Sequence, residues 1–373
     1  MKFIISSKAL LHRLLLLKNA VKHSNVLPIL ETVLFVVQKK QILLHTSDLK
    51  QTISLRLDCE ANSKFSFCVY FTQIFNLVNN CMEQPITFWF DEKERSLKII
   101  GFDFEVTLPT ERPEDYPKLP EVAPADLNKL IVTGKQKDDL FLYLKRALPF
   151  ISRDDLRPAI NGVYLHSKDN KLHIASTDAH RLYFKATDIA YAGTPMIVEG
   201  SAVRSLLLMF AKSDEVIFNS DKNNLHVIDS FKYTELFTRL IDAKYPDYAV
   251  ALEPALKGLT GNVSMISKDM KRTIKLCTNF SNPYTNQLVF EIDHLHIKYK
   301  VEDVDLLTSA TATCPVYDAD IKESLTIAFN GKILLEILNL FKDEYVKLGL
   351  PASPTKAMFV NDCVLIMPLM LNN

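Results

Sequence analysis

The sequence predicts an α+β protein built from three tandem copies of one domain, each holding two helices and antiparallel sheet. Three observations carry that prediction. The first is an internal repeat: Pro28 opens an apolar stretch read as a strand and is followed by Thr46-Ser47-Asp48, while Pro158 opens another followed by Ser176-Thr177-Asp178, so that both landmarks recur 130 positions later. Pro283 opens a third such stretch, and Tyr116-Pro117, which closes the first copy, returns as Tyr245-Pro246. This period far exceeds the roughly 20–50 residues of solenoid repeats, so the unit is a whole domain. The second observation is an α-β-α-β order in every third of the chain. The third is a set of short polar connections, such as Lys168-Asp169-Asn170 and Asp221-Lys222-Asn223-Asn224, which join strands as hairpins. With so few helices, a parallel sheet would lack its crossovers.

The domains are expected at 1–123, 124–252 and 253–373, with Pro120 and Pro124 bracketing the first boundary and Glu253-Pro254 lying near the second. The first helix of each copy is placed at 7–24, 135–153 and 267–280, the second at 70–82, 199–212 and 330–343. Leu10, Leu11, Leu14, Leu17 and Val21 recur at three- and four-residue steps and give one apolar face. Asn330 is a natural N-cap for the last helix. Strands are read at 33–37, 41–44, 87–90, 97–100, 162–165, 171–175, 288–292 and 295–299.

A chain of 373 residues with 48% hydrophobic content can bury several cores. No apolar run approaches the ~20 residues that span a bilayer, and residues 1–25 lack the basic-then-apolar order of a signal peptide. No membrane contact and a cytoplasmic location are expected. The six cysteines are dispersed, without metal-ligand spacing, as reduced thiols would be. Lys and Arg total 44, as do Asp and Glu, so the net charge is zero, but the distribution is uneven. The six helices as bounded hold 17 basic against 6 acidic residues, leaving 27 against 38 elsewhere. A fold that turned those helices toward one surface would make it basic, able to track phosphates without reading bases. The plainer reading of basic helices is propensity, yet Glu is as good a helix former and is scarce in them.

Catalytic signatures are missing. There is no phosphate loop, no G-x-S-x-G, no H-E-x-x-H and no dinucleotide fingerprint, and nine glycines leave few phosphate-cradling loops. No catalytic residue, metal or cofactor is expected. Asp178 and His180, two positions apart, share a face with Ser176 and admit a hydrolytic reading; a turn aspartate bonding its own backbone is the simpler one. His294 and His296 also share a strand face, but two imidazoles make a weak metal site. The apolar run from Val364 to Leu371 reads either as a last core strand or as a soft surface for a short peptide.

Taken in order, several segments resemble the β subunit of bacterial DNA polymerase III, the sliding-clamp family. They are Met1-Lys2-Phe3 with its Leu-rich helix; Leu27-Pro28-Ile29-Leu30; Thr46-Ser47-Asp48-Leu49; Arg157-Pro158 through Gly162-Val163; Ser176-Thr177-Asp178-Ala179-His180-Arg181-Leu182; Lys244-Tyr245-Pro246-Asp247-Tyr248; and Ile366-Met367-Pro368-Leu369. The resemblance implies three DNA-clamp domains, each of two antiparallel sheets with two inner helices, and a head-to-tail homodimer closing a six-domain ring around double-stranded DNA of any sequence. Such a ring is not an enzyme. It tethers the replicative DNA polymerase and receives the clamp loader and repair proteins through short peptides.

Carried over, the peptide pocket uses Arg157, Ile160, Thr177, Ala179, His180, Arg181, Leu182, Pro246, Ala251, Leu365, Met367, Pro368, Leu369 and Met370. Two positions depart from the family pattern: Ala179 stands for its usual glycine and Met370 for its usual arginine. The DNA contacts carry over onto Lys22, His23 and Ser24, onto Thr72 and Gln73, and onto Arg153, Asp154, Pro158 and Ala159, with divergent identities. The ring joint is expected at the edge from Phe102 to Leu108 and at the third-domain helix near Ile274. Two other readings remain open on the residues alone: a three-domain scaffold that binds only proteins, and a hydrolase using Asp178 and His180.

Overall fold

The computed structural model describes residues 1–21, 27–118, 128–231 and 233–371. The expected boundary near Pro120 and Pro124 lies outside the described residues. The fold is α+β, and all the strand pairings recorded are antiparallel. Seven helices are described: α1 (Ser7–Leu17), α2 (Phe71–Asn80), α3 (Gly134–Ala147), α4 (Gly200–Met209), α5 (Ala249–Lys257), α6 (Ser267–Thr278) and α7 (Gly331–Asn339). Among the described residues, no helix is long and apolar enough to cross a membrane.

The chain sorts into two compact units. The first takes Met1–Leu148, Gly162–Leu172 and Thr187–Ala243; the second takes Pro149–Asn161, His173–Ala186 and Lys244–Asn373. In the first unit, a five-stranded sheet runs Glu60–Ala61, Lys2–Ser6, Pro85–Asp91, Ser96–Ile100, Glu105–Pro109. An eight-stranded sheet in the same unit runs from Lys129–Thr133 at one edge to Phe65–Tyr70 at the other, and the Thr234–Arg239 strand joins its halves by pairing Leu236 with Ile53. Between these sheets Phe3, Phe35, Phe67 and Phe88 are wholly buried, with Phe3 stacked on Phe88 at 4.5 Å and Phe35 on Phe67 at 5.0 Å. On the solvent side of the same ladder, Lys2 pairs with Trp89 and holds its ammonium 5.2 Å over the indole.

In the second unit, a four-stranded sheet runs Thr308–Pro315, His296–Asp303, Gln287–Ile292, Leu325–Asn330. A separate ladder begins at Arg181 and passes through Val364–Ile366, Met358–Val360, Tyr345–Pro351 and Leu259–Ile266 to Asp318–Asp320. Phe290 meets Tyr299 and Phe329 edge-on at 4.8 and 5.6 Å in the core of this unit.

The helices pack in pairs, α1 with α2, α3 with α4, and α6 with α7. One bond marks each pair. The first N–H of the leading helix donates to a carbonyl just past the trailing one: Ser7 to Gln84 at 2.9 Å, Gly134 to Asp214 at 3.4 Å, Ser267 to Glu344 at 2.8 Å. An N–H that the helix leaves without an intrahelical partner is thereby satisfied three times over by the same device. Asn330 caps α7 as its residue type predicts, its Oδ1 accepting from Ile333 N at 3.1 Å.

Four expectations are corrected. The repeat prolines do not open strands: Pro28 and Pro158 start 3₁₀ turns, Pro28–Glu31 and Pro158–Ile160, and Pro283 lies in a turn, with each strand beginning just beyond. A fixed φ suits the first position of a helical turn better than a ladder that needs its N–H. A helix not expected from the sequence, α5, contains Pro254, which interrupts its bonding and hid it from sequence reading. The leading helices are shorter than expected, since α1 ends at Leu17 and α3 at Ala147, each tightening into a 3₁₀ turn, the second around Pro149. Finally, Ile274 itself is fully buried in its own unit, so it is not the residue by which the helix expected at the joint meets solvent. The exposed apolar residues there are Leu276 and Phe280 on the helix end, with Val304, Leu306 and Leu307 on the hairpin after His296–Asp303.

Candidate functional site

The turn that enters the Arg181–Ala190 strand is built by Asp178, whose Oδ1 accepts from His180 N and Arg181 N, each at 3.0 Å. Thr177 Oγ1 donates to Arg181 O at 2.7 Å and accepts from Ala179 N at 3.0 Å. These bonds hold Ala179 at φ +78°, the left-handed region that favours glycine. The same turn recurs at Ser47-Asp48-Leu49: Asp48 Oδ1 accepts from Lys50 N and Gln51 N at 2.9 and 2.7 Å, and Leu49 has φ +70°. The sequence landmark shared by the first two copies is therefore a turn aspartate. Asp178 spends its carboxylate on backbone N–H groups and on Arg181, not on the His180 imidazole, and the hydrolytic pairing is absent.

Arg181 is fully committed. Nε donates to Asp178 Oδ2 at 2.9 Å, Nη1 to Glu336 Oε2 of α7 at 3.1 Å and Nη2 to Pro149 O at 2.9 Å, with the guanidinium 5.2 Å from the Phe150 ring. Its side chain is 11% exposed. It braces the site, and its charge is already answered by two carboxylates.

The chain terminus completes the arrangement. Leu182 pairs with Leu365 and Arg181 with Ile366, after which Met367 N donates to His180 O at 3.0 Å. Leu369 N then donates to Ala328 O at 2.8 Å, and Gln287 Nε2 to Met370 O at 2.9 Å. Residues 367–370 thus run from the ladder to the four-stranded sheet of the same unit. Leu182, Leu365 and Ile160 are buried, Pro368 and Leu369 half-buried, Met367 exposed and Met370 81% exposed. Val364–Ile366 is a core strand, while Met367 to Met370 leave the core and are partly or fully exposed.

Of the fourteen predicted pocket residues, the ladder and its turn unite Thr177, Ala179, His180, Arg181, Leu182, Leu365 and Met367 through the bonds above. Arg157 and Ile160 belong to the loop that Arg181 ties down at Pro149. There Ser152 N donates to Ile160 O at 2.8 Å, and Arg157 Nε pairs with Asp154 at 2.8 Å. That hydrogen bond from Arg157, then one from Leu156 N, holds the Asp154 carboxyl below its ordinary value. Pro246 and Ala251 are placed by a separate segment, both exposed, with Ala251 N bonded to Tyr248 O within 3.1 Å. Sequence reasoning missed Pro149, Phe150 and Glu336, since nothing local marks a carboxylate 155 positions from its arginine.

Of the DNA candidates, Lys22, His23 and Ser24 lie outside the described residues. Thr72 and Gln73 are exposed in the first turn of α2; Arg153 and Pro158 are exposed and Asp154 and Ala159 half-buried in loop 149–161. With the observed bounds, the three helix pairs carry twelve Lys or Arg against four Asp or Glu (Asp138, Asp139, Asp269 and Glu336). Lys137 must be removed from any phosphate-tracking set. It is buried, and its ammonium donates to Ala211 O at 3.2 Å and Ser213 O at 2.9 Å beyond α4. Lys271 bonds Phe341 O beyond α7 in the same way, at 3.0 Å.

The fold and these segments define a clamp-type subunit, and the comparisons with known proteins agree. The model of the DNA polymerase III beta subunit N-terminal domain matches residues 1–120, and that of the central domain matches residues 144–247, together more than half the chain. The Beta sliding clamp of Chlamydia muridarum is 22% identical over 385 residues, spanning all of both chains; that of Pseudomonas putida is 25% identical over 365 residues, covering 96% of this chain and 95% of its own. Among solved structures, the Pseudomonas aeruginosa sliding clamp bound to griselimycin superposes with a TM-score of 0.90 at 21% identity, and the Thermotoga maritima beta subunit with 0.87 at 17%, each covering both chains fully. The chain belongs to the DNA polymerase III beta subunit family, the beta sliding clamps, which are non-catalytic processivity factors of DNA replication.

Proposed function

We propose that two copies of this chain join head to tail into a closed ring of six domains, three per chain at 1–123, 124–252 and 253–373, which encloses double-stranded DNA in the cytoplasm. The observation that carries the proposal is the charge asymmetry of a neutral protein: twelve basic against four acidic residues on the three helix pairs leave 32 against 40 elsewhere. Helices lining a common hole would present exposed Lys135, Lys268, Arg272 and Lys275 to phosphates, and Thr72, Gln73, Arg153, Pro158 and Ala159, with Lys22, His23 and Ser24, complete the proposed DNA-contacting set. Enclosure then substitutes for sequence-specific affinity, so the ring slides and stays.

Two open sheet edges suit the head-to-tail joint. One is the Glu105–Pro109 strand beside Phe102, which is 93% exposed; the other is the Thr308–Pro315 strand beside Leu306 and Leu307, the latter 90% exposed. The surface built on Leu182, Leu365, Met367, Pro368, Leu369 and Met370, with Arg157, Ile160, Thr177, Ala179, His180, Pro246 and Ala251 around it, receives short apolar peptides of the replicative polymerase, the clamp loader and repair proteins. Arg181 holds that surface together. Met370 offers no positive charge, so the preferred peptide meets it with an apolar side chain.

The test is topological. Loaded protein is expected to stay on closed circular DNA and to leave when one cut linearises the circle. Equal retention on both forms would overturn the ring.

A further inference from the structure

The second unit carries an aromatic face that the peptide surface does not use. In the Leu259–Ile266 strand, Val263 and Met265 point into the core, while Ser264 and Ile266 lie on the opposite side. Ile266 pairs with Tyr345, and Tyr317 N bonds Ser264 O at 2.8 Å, which brings Tyr317 onto Tyr345 with ring centroids 4.5 Å apart and planes tilted by 42°. Tyr317 is 66% exposed, and Ile266 and Tyr345 are exposed beside it. An uncovered Ile and two tyrosines in contact make an apolar step. The Tyr317 phenol beside it, then desolvation and the Glu344 carboxylate, raise the Tyr345 pKa.

The rim of this step is acidic. Asp318 pairs with Ser264 and Asp320 with Asn262 on the exposed side of the ladder, and Glu344 precedes Tyr345. The one cation in the same row, Lys347, is neutralised by Asp362 at 3.2 Å. Bases could stack on tyrosines, but the Asp318 and Glu344 carboxylates next in sequence to the rings, with Asp320 farther along the same strand, repel phosphates. The rings and the charge together suit a cationic chain with flat apolar residues, and an extended proline-containing segment provides both: pyrrolidine rings pack against aromatic faces, and arginines reach carboxylates. The face lies three to five strand spacings along the ladder from Arg181, about 14–24 Å away.

We propose that Tyr317, Tyr345 and Ile266, rimmed by Asp318, Asp320 and Glu344, form a second docking surface, for an arginine-bearing, proline-rich segment of a partner protein. The full-length protein, carrying ¹⁹F-labelled tyrosine, is titrated with a synthetic Arg-Pro-Leu-Pro-Pro-Arg peptide and with its Glu-for-Arg counterpart. The Tyr317 and Tyr345 signals are expected to shift with the first peptide alone. Affinity should fall at least tenfold in Tyr317→Ala, fall with a weaker salt dependence in Asp318→Asn/Asp320→Asn, and stay unchanged in Met367→Ala/Leu369→Ala. Equal response to both peptides, no response at millimolar peptide, unchanged affinity in the tyrosine and aspartate variants, or loss of binding in the Met367/Leu369 variant would each overturn the proposal. So would preferential shifts with a single-stranded oligonucleotide.

Discussion

At the scale of single residues, buried His45 sets a pH limit on the first unit. Its Nδ1 is 2.7 Å from Ser54 Oγ on the neighbouring strand, Tyr116 donates to its carbonyl at 3.4 Å, and burial lowers its pKa to about 4 despite the opposing Glu235 carboxylate. The folded state prefers the neutral ring, whereas the unfolded chain protonates near 6.5, so the unfolded chain binds more protons between these values. Stability from this group is present above about pH 6.5 and is lost as the pH falls toward 4, by roughly 3 kcal/mol at the lower end. Denaturant unfolding of the protein at pH 7.5 and 4.5 should show a clearly smaller pH-dependent loss in His45→Gln than in the parent; equal losses would remove His45 as the cause. Ala179 offers the opposite change. With φ at +78°, Ala179→Gly should raise stability by about 1 kcal/mol in the same measurement, and a destabilised variant would contradict the strain argument.

At the scale of elements, the helices and hairpins were legible because their signals are local. The Leu10-Leu14-Leu17 spacing gave α1, Asn330 gave the start of α7, and Asp221-Lys222-Asn223-Asn224 gave a hairpin whose Asp221 Oδ1 accepts from Asn223 N and Asn224 N at 2.7 Å. Helix α5 was not legible, because Pro254 reads as a breaker while the exposed end of α5 lets its unbonded carbonyl meet water. The brace across the site was equally hidden: Arg181, Pro149 and Glu336 are joined by tertiary structure alone. Seven of the residues expected at the peptide surface do come together in the structure, since the Thr177–Leu182 turn and the terminal strand are contiguous runs that pair with each other. The terminal segment makes a separable prediction. Met367→Ala/Leu369→Ala should weaken binding of a polymerase-derived clamp peptide by about 2–4 kcal/mol in calorimetry, with little change in the unfolding midpoint, because both side chains are at least partly exposed. Unchanged affinity would move the docking surface elsewhere.

At the scale of the whole molecule, the proposed ring depends on apolar residues that a lone chain leaves wet. Leu306 and Leu307 form a hairpin tip that Thr308 anchors, its Oγ1 donating to Phe280 O at 3.3 Å. Leu306→Asp/Leu307→Asp should convert a dimer into a folded monomer by sedimentation, since the tip carries little of the unit's own core; a dimer that survives the change would place the joint elsewhere. The lysines Lys137 and Lys271, spent on carbonyls past α4 and α7, show that net charge overstates the field such a ring offers DNA.

The indole beside Lys2 has a practical consequence. As the chain's only tryptophan, half open to solvent on the Pro85–Asp91 strand, Trp89 makes emission spectra a private reporter of one five-stranded sheet. Melting curves read by fluorescence and by circular dichroism will coincide only if the rest of the polypeptide comes apart in the same cooperative step.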